Sequence, residues 1–177
     1  MGVDQIKKAV FLDRDGIINQ SVVRDGKPYP PASLQELLWV DDIAGCLQQI
    51  RNKGYLLVVF TNQPDVARGT KKQSDVEAIH AHMQEKLQLD AVYACFHDDV
   101  DECSCRKPKA GMLVQAAEDL SIDLQASYAV GDRWRDINAG KTAGCKTIFV
   151  DYGYAEILRE KPDYVVEHPT MMLNYIK

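Results

Sequence analysis

Long apolar runs are missing from this chain, and the first of them, Ala9-Val10-Phe11-Leu12, passes straight into charge. A bilayer span needs about 20 apolar residues and a secretion signal roughly 7–15, so no membrane partner is expected and the expected location is cytoplasmic. Positive charge is scarce as well. Lys+Arg number 21 against 26 Asp+Glu, a formal net charge of -5, which excludes nucleic acid or an anionic membrane as a bulk electrostatic partner. An anionic ligand would have to rely on local charge. The cysteines, five in number, form an odd set that fits a secreted disulfide framework poorly. Repeats, linkers and low-complexity stretches are absent, and no heptad or detached apolar stripe signals an oligomer, so a monomer is expected. With 177 residues, 46% of them hydrophobic, the chain can bury one sizeable core, and residues 1–177 read as a single domain.

Asp13-Arg14-Asp15-Gly16 follows the first apolar run directly. A short apolar run closed by a carboxylate reads as a buried strand whose end emerges at the carboxyl edge of a sheet, where open α/β folds bind ligands. Two carboxylates two residues apart there can share a divalent cation, and one can attack while the other moves a proton. Gly16 frees the backbone to turn. A second run, Tyr55-Leu56-Leu57-Val58-Val59-Phe60, ends in Thr61-Asn62-Gln63, whose side chains can hydrogen-bond phosphoryl oxygens. Arg106-Lys107-Pro108 concentrates positive charge, and Ala129-Val130-Gly131-Asp132-Arg133-Trp134-Arg135-Asp136 repeats the order strand, glycine, acid. A parallel sheet would bring these four loops to one edge.

Apolar spacing predicts strands over 9–12, 55–60, 91–95, 128–130 and 147–150, an edge strand over 163–166, and helices over 42–53, 73–87, 111–120 and 136–143. Ser74 is expected to open the second helix, while Gly54 and Gly144 close the first and last. Segment 21–31, with Pro28, Pro30 and Pro31, reads as loop. Strands alternating with helices give an α/β fold, a doubly wound, three-layer Rossmann-like parallel sheet. His80 and His82 read as surface or packing residues, and Cys46 and Cys145 as inert core thiols.

Together the motifs resemble those of the haloacid dehalogenase superfamily of phosphatases: DxD at Asp13 and Asp15, a strand-end Thr61, Lys107, and GDxxxD at Asp132 and Asp136. Asp13-Arg14-Asp15-Gly16, Thr61-Asn62-Gln63, Ala67-Arg68-Gly69 and Cys105-Arg106-Lys107-Pro108 are closest to its small capless group, which contains histidinol phosphatases and D-glycero-D-manno-heptose 1,7-bisphosphate phosphatases. The resemblance implies the strand order 3-2-1-4-5 and no cap domain. It also implies a Mg2+-dependent phosphomonoesterase acting on a small phosphorylated sugar, a heptose bisphosphate ahead of histidinol phosphate or another sugar phosphate.

On that resemblance Asp13 is the nucleophile that forms an aspartyl-phosphate, and Asp15 is the general acid and base. Thr61 and Asn62 orient the phosphoryl group while Lys107 offsets its charge. Mg2+ prefers oxygen ligands, which Asp13, the main-chain carbonyl of Asp15 and Asp132 supply. Asp136 would orient Lys107 or a bound water. Arg68, Arg106 and Arg133 are expected to bind substrate, the last two at its second anionic group or its hydroxyls. Arg14 and Lys109 add to the local positive charge, whereas Arg24, Lys27, Lys71 and Lys72 read as solvated. Ile17 and Pro64-Asp65-Val66 depart from the close group's pattern in positions that bear on the sugar rather than on the chemistry. A zinc-bearing binding module without turnover, or a phospho-accepting signalling domain, would not need both Asp13 and Asp15.

Cys95-Phe96-His97 and Cys103-Ser104-Cys105 offer three thiolates and one imidazole, the complement of a closed structural zinc site, and the capless heptose-bisphosphate phosphatases carry a similar loop zinc. A zinc loop is therefore expected at about 95–105. It would stiffen the segment leading into Arg106 and Lys107. Asp98, Asp99, Asp101 and Glu102 between the two halves read as solvated.

Overall fold

The computed structural model describes residues 6–177; the first five residues of the expected domain lie outside them. Elements in chain order are β1 (Lys8–Leu12), the short strands β2 (Val22–Arg24) and β3 (Lys27–Tyr29), α1 (Ile43–Asn52), β4 (Tyr55–Asn62), α2 (Gln73–Leu87), β5 (Ala91–Cys95), α3 (Gly111–Leu120), β6 (Tyr128–Gly131), α4 (Trp134–Ala143), β7 (Lys146–Val150) and β8 (Tyr164–Val166). Six of the strands form one sheet in the order β5-β4-β1-β6-β7-β8, and every pairing in it is parallel. The expected order of five strands is present, extended by the expected edge strand.

Side chains alternate across β1, which divides the core in two. Val10 and Leu12 join Leu57, Val59 and Val130 against Ile43, Leu47 and Ile50 of α1 and Ile79 and Met83 of α2. Ala9 and Phe11 face the other way, meeting Val58, Phe60 and Ala129 beneath Met112, Leu113 and Ala116 of α3. Helices on both faces require both faces of the central strands to be apolar, which is why these strands read as runs rather than as alternations. Each fully buried Leu, Ile or Phe contributes about 1.5–3 kcal/mol of transfer free energy. None of the described helices is long and apolar enough to cross a membrane.

Three local features differ from expectation. Segment 21–31 contains an antiparallel hairpin, β2 against β3, turning on Asp25 (φ 50°) and Gly26 (φ 71°). Both turn residues have positive φ, the geometry that matches strand twist in a two-residue hairpin. Ser74 lies inside the first turn of α2 rather than at its cap; Lys72 holds the cap position without a side-chain bond. Entry into α2 is fixed instead by the Thr70 and Lys71 N–H groups donating to Asp65 O at 3.0 and 3.1 Å. Finally, α4 begins two residues earlier than predicted, because Asp136 acts from its third position: its Oδ2 accepts the Arg133 N–H at 2.9 Å.

Candidate active site

The carboxyl ends of β1, β4 and β6 converge on one cleft of about 330 Å3. Asp13 follows β1, its N–H bonded to Val130 O at 2.9 Å, so the sheet itself fixes where the carboxylate emerges. Lys107 reaches in from the far side. Its Nζ stands 2.7 Å from Asp13 Oδ1, 2.6 Å from Asp136 Oδ1 and 3.0 Å from Phe60 O. Asn62 clips the lysine's backbone from both sides, with Nδ2 donating to Lys107 O at 3.1 Å and Oδ1 accepting the Lys107 N–H at 3.0 Å. The Lys107-Pro108 peptide is cis.

Burial raises the Asp13 carboxyl to about 7, with the charge of Asp136 adding to it and Lys107 only partly opposing. Asp132 is pushed well above the ordinary carboxylate range by burial, then by Asp13 and Asp136. Burial pulls the Lys107 ammonium down, but Asp13 and Asp136 outweigh it and leave its proton more tightly held than usual. This crowding is built in by two glycines. A side chain at Gly16 (φ +88°) would collide with the Asp132 carboxylate, and one at Gly131 with Asp136.

Oxygens of Asp13, Asp132 and Asp136 lie within 4.8 Å of one another. Among the described residues neither buried carboxylate oxygen of Asp132 has a partner at hydrogen-bond geometry, and the Tyr154 hydroxyl only partly offsets its upward shift, an arrangement that is costly unless something positive completes it. An oxygen-seeking divalent cation such as Mg2+ fits that requirement.

Asp15 has the opposite environment. Its carboxylate accepts from Arg14 Nε and Nη2, from Asn19 Nδ2 at 3.0 Å and from Gln63 Nε2 at 2.9 Å. Burial alone would raise its pKa, but the charge of Arg14 and these bonds outweigh burial and leave it below the ordinary value. Gln63 Nε2 also donates to Thr61 Oγ1 at 3.0 Å, tying the two motif loops together. Arg14 therefore does not face an incoming anion as the sequence reading had it.

At the mouth of the cleft the arginines are already engaged. Arg68 meets Asp98 at 2.6 and 2.9 Å, and Arg133 meets Glu156 at 2.7 and 2.9 Å. Arg106 and Arg135 share Asp99, at 2.8 and 3.0 Å. Hydrogen bonds from Arg106, then Arg135, hold the Asp99 carboxyl down at about 2. Asp98 and Asp99 are thus partners of cleft arginines rather than freely solvated acids. Lys109 is turned away to the carbonyls of Glu102 and Cys103, at 3.0 and 2.6 Å. Lys71, expected to be solvated, donates to Pro31 O at 2.7 Å.

Beside this rim, Cys95, His97, Cys103 and Cys105 close on one another. The Sγ atoms are 3.2 to 3.6 Å apart, and His97 Nδ1 is 3.4 Å from Cys105 and 3.6 Å from Cys95. A tetrahedron with metal–sulfur bonds of about 2.3 Å has edges only slightly longer, so the four donors fit a soft tetrahedral ion such as zinc. Cys46 and Cys145 stand apart, buried, their thiols raised to about 12 by burial.

The positions that Gln63, Asp99, Arg135 and His80 take at the cleft are not those expected from sequence. The first three line or tie down the cleft, and His80 packs against Arg14. Gln63 belongs to a motif whose side chains are expected to meet phosphoryl oxygens, and it meets Asp15, Thr61 and Arg14 instead, while Arg135 lies between the two acids of another motif.

A buried carboxylate beside a buried lysine, at the switch point of a doubly wound parallel sheet, is an arrangement that suits phosphoryl transfer of the haloacid dehalogenase-like class. The HAD-hydrolase-like family model matches residues 104–170. The D-glycero-beta-D-manno-heptose-1,7-bisphosphate 7-phosphatase of Haemophilus ducreyi is 39% identical over 153 residues, covering 80% of this chain and 81% of its own. The enzyme of that name from Pasteurella multocida is 36% identical over 176 residues, 92% of each chain. Among solved structures, the D,D-heptose 1,7-bisphosphate phosphatase of B. bronchiseptica with magnesium and phosphate matches with a TM-score of 0.81 at 30% identity, covering 96% of this chain and 97% of that one. The chain belongs to the haloacid dehalogenase-like phosphatases, in the family of these heptose-bisphosphate phosphatases. It is a phosphatase.

Proposed function

We propose that the chain removes one phosphate from a heptose 1,7-bisphosphate through an aspartyl-phosphate on Asp13. The observation that carries this reading is the opposite setting of two acids two residues apart, Asp13 buried among acids beside Lys107 and Asp15 held as a carboxylate by Arg14, Asn19 and Gln63. Mg2+ bound among Asp13, Asp132 and the main-chain carbonyl of Asp15 would neutralise charge on the phosphoryl group and keep Asp13 ionised. Asp13 attacks phosphorus, and the bond to the sugar oxygen breaks. Asp15, which takes up a proton from solvent as the substrate's negative charge arrives, gives it to that oxygen and then takes one from the water that splits the acyl phosphate. The incoming phosphate's negative charge raises the proton affinity of Asp15 at the moment it must act as an acid. Asp136 holds Lys107 against the equatorial oxygens, and Asn62 holds its backbone. Thr61 orients the phosphoryl group.

The substrate's second phosphate is assigned to the rim, where Arg106 and Arg135 exchange Asp99 for it, with Arg68 and Arg133 on either side. Cys95, His97, Cys103 and Cys105 would hold a structural zinc, which would fix the loop that carries Arg106. Reduced thiols at that site suit the cytoplasm, and the enzyme acts as one domain and as a monomer. Phosphate release from both anomers of D-glycero-D-manno-heptose 1,7-bisphosphate, from histidinol phosphate and from simple hexose phosphates tests the assignment. The heptose bisphosphate should give the highest kcat/KM by at least about tenfold, a difference of roughly 1.4 kcal/mol; histidinol phosphate in that place would overturn it.

A further inference from the structure

Arg14 is a fully buried charge on the loop that carries the two acids, with 0% of it exposed. A guanidinium in that position is tolerable only when its donors are taken. One edge of the fork grips Asp15, Nε to Oδ1 at 3.1 Å and Nη2 to Oδ1 and Oδ2 at 3.0 and 2.9 Å. Nη2 also donates to Gln63 Oε1 at 3.1 Å. On the other edge, Nη1 stands 3.1 Å from Nε2 of His80, a buried residue in the middle of α2.

Burial, followed by the charge of Arg14, lowers the His80 imidazole to about 4, so the ring is neutral near pH 7. Since a guanidinium can only donate, Nε2 must be the bare nitrogen and the ring proton sits on Nδ1. The charged groups acting on His80 are Arg14 and Asp15, and Lys71 acts on that same pair. No step of the proposed mechanism uses His80.

Resting on the reading of Asp15 as acid and base, we propose that His80 is a positioning residue: its Nε2 fixes the plane of Arg14, and Arg14 fixes the direction of the Asp15 carboxylate. Without that acceptor, Nη1 is left buried and unpaired, and the guanidinium turns to find another partner at the expense of its two-pronged hold on Asp15. The consequence falls on proton transfer. A sugar alkoxide must be protonated as it leaves, whereas nitrophenolate leaves without help, so the two substrates separate a misaligned acid from a damaged phosphate site.

The test compares kcat/KM for D-glycero-D-manno-heptose 1,7-bisphosphate and for 4-nitrophenyl phosphate, with Mg2+, in the wild-type protein and in His80→Leu and His80→Gln. Leucine keeps bulk without an acceptor; the glutamine amide oxygen restores one near Nε2. The leucine variant should lose roughly 10- to 100-fold on the sugar phosphate, part of the 10²–10⁴ that a positioned acid contributes, and less than about threefold on the aryl phosphate. The glutamine variant should stay within about threefold of wild type on both. Equal losses on both substrates, no loss at all, or a glutamine variant as impaired as leucine overturns the inference.

Histidine 15N NMR of the wild-type protein needs no variant. It should show His80 with a bare Nε2 between about pH 6 and pH 8, and a proton on Nε2 in that range would equally overturn it. Asp15→Asn keeps the two readings apart. Full sugar-phosphate turnover by that variant would remove the acid-base role and this inference with it, whereas an inactive Asp15→Asn beside an unimpaired His80→Leu removes only the role of His80.

Discussion

Two clusters in this molecule are able to hold a cation, and they are built on opposite principles. Asp13, Asp132 and Asp136 are hard oxygen donors, the first two just past strand ends and the third in the first turn of α4, buried, crowded by the approach of Gly16 and Gly131, and with Asp132 unpartnered among the described residues. Cys95, His97, Cys103 and Cys105 are soft donors on one loop, already touching one another in a set of four. An ion among the carboxylates would still have positions open for a phosphate oxygen and water. An ion among the thiolates would be fully coordinated, with no position left for substrate. Incompleteness is useful where chemistry must enter, and closure is useful where a loop must only be held still.

Each prediction probes that contrast. The largest effect belongs to Asp13→Asn, which should lower phosphate release by at least about 10³-fold while leaving zinc content unchanged; retained turnover would end the aspartyl-phosphate reading. Cys103→Ser should behave in the reverse sense. Zinc bound per chain, measured by metal analysis, should fall to near zero, with a drop in Tm on the order of 5–10 °C from the freed loop, and a variant that keeps its zinc would refute the ligand set.

A smaller effect separates the clusters by pH. The folded Asp13 carboxyl titrates at about 7 against 3.8 when unperturbed, so the folded protein binds more protons in that window. Its contribution to stability is complete below about 3.8 and lost as pH rises through about 7. Since Mg2+ competes with that proton, it should raise Tm more at pH 8 than at pH 5, and an equal shift at both would argue against Asp13 as a ligand. The smallest effect is at the rim. Asp99→Asn frees Arg106 and Arg135, and should lower KM for the bisphosphate by about two- to fivefold without changing KM for a monophosphate. A parallel change in both would remove Asp99 from recognition of the second phosphate.

Much of this was legible in the chain. Runs such as Ala9 to Leu12 and Tyr55 to Phe60 are apolar without alternation because both sheet faces are covered, so strands, helices and their right-handed winding followed from pattern alone. The hairpin was missed although its signal was present, since Asp25-Gly26 is a two-residue turn pair that the nearby prolines obscured. His80 and Asp99 could not have been found in this way. A histidine within a helical repeat and an aspartate in an acidic loop carry no local mark of the arginine each one meets, because Arg14 is 66 positions from His80 and Arg135 is 36 positions from Asp99.

What the linear chain determined by itself was the set of strand-end groups: the sheet order brings Asp13, Thr61 and Asp132 to one edge whenever their strands pair in parallel, as strand direction and the handedness of crossovers require. What only the folded molecule decided was the state of each group. Burial, the Asp132 oxygens unpartnered among the described residues, the lysine between two acids and the arginine between Asp15 and His80 are consequences of distance in three dimensions. Electrostatic free energy depends on that distance and on exclusion of water rather than on separation along the chain.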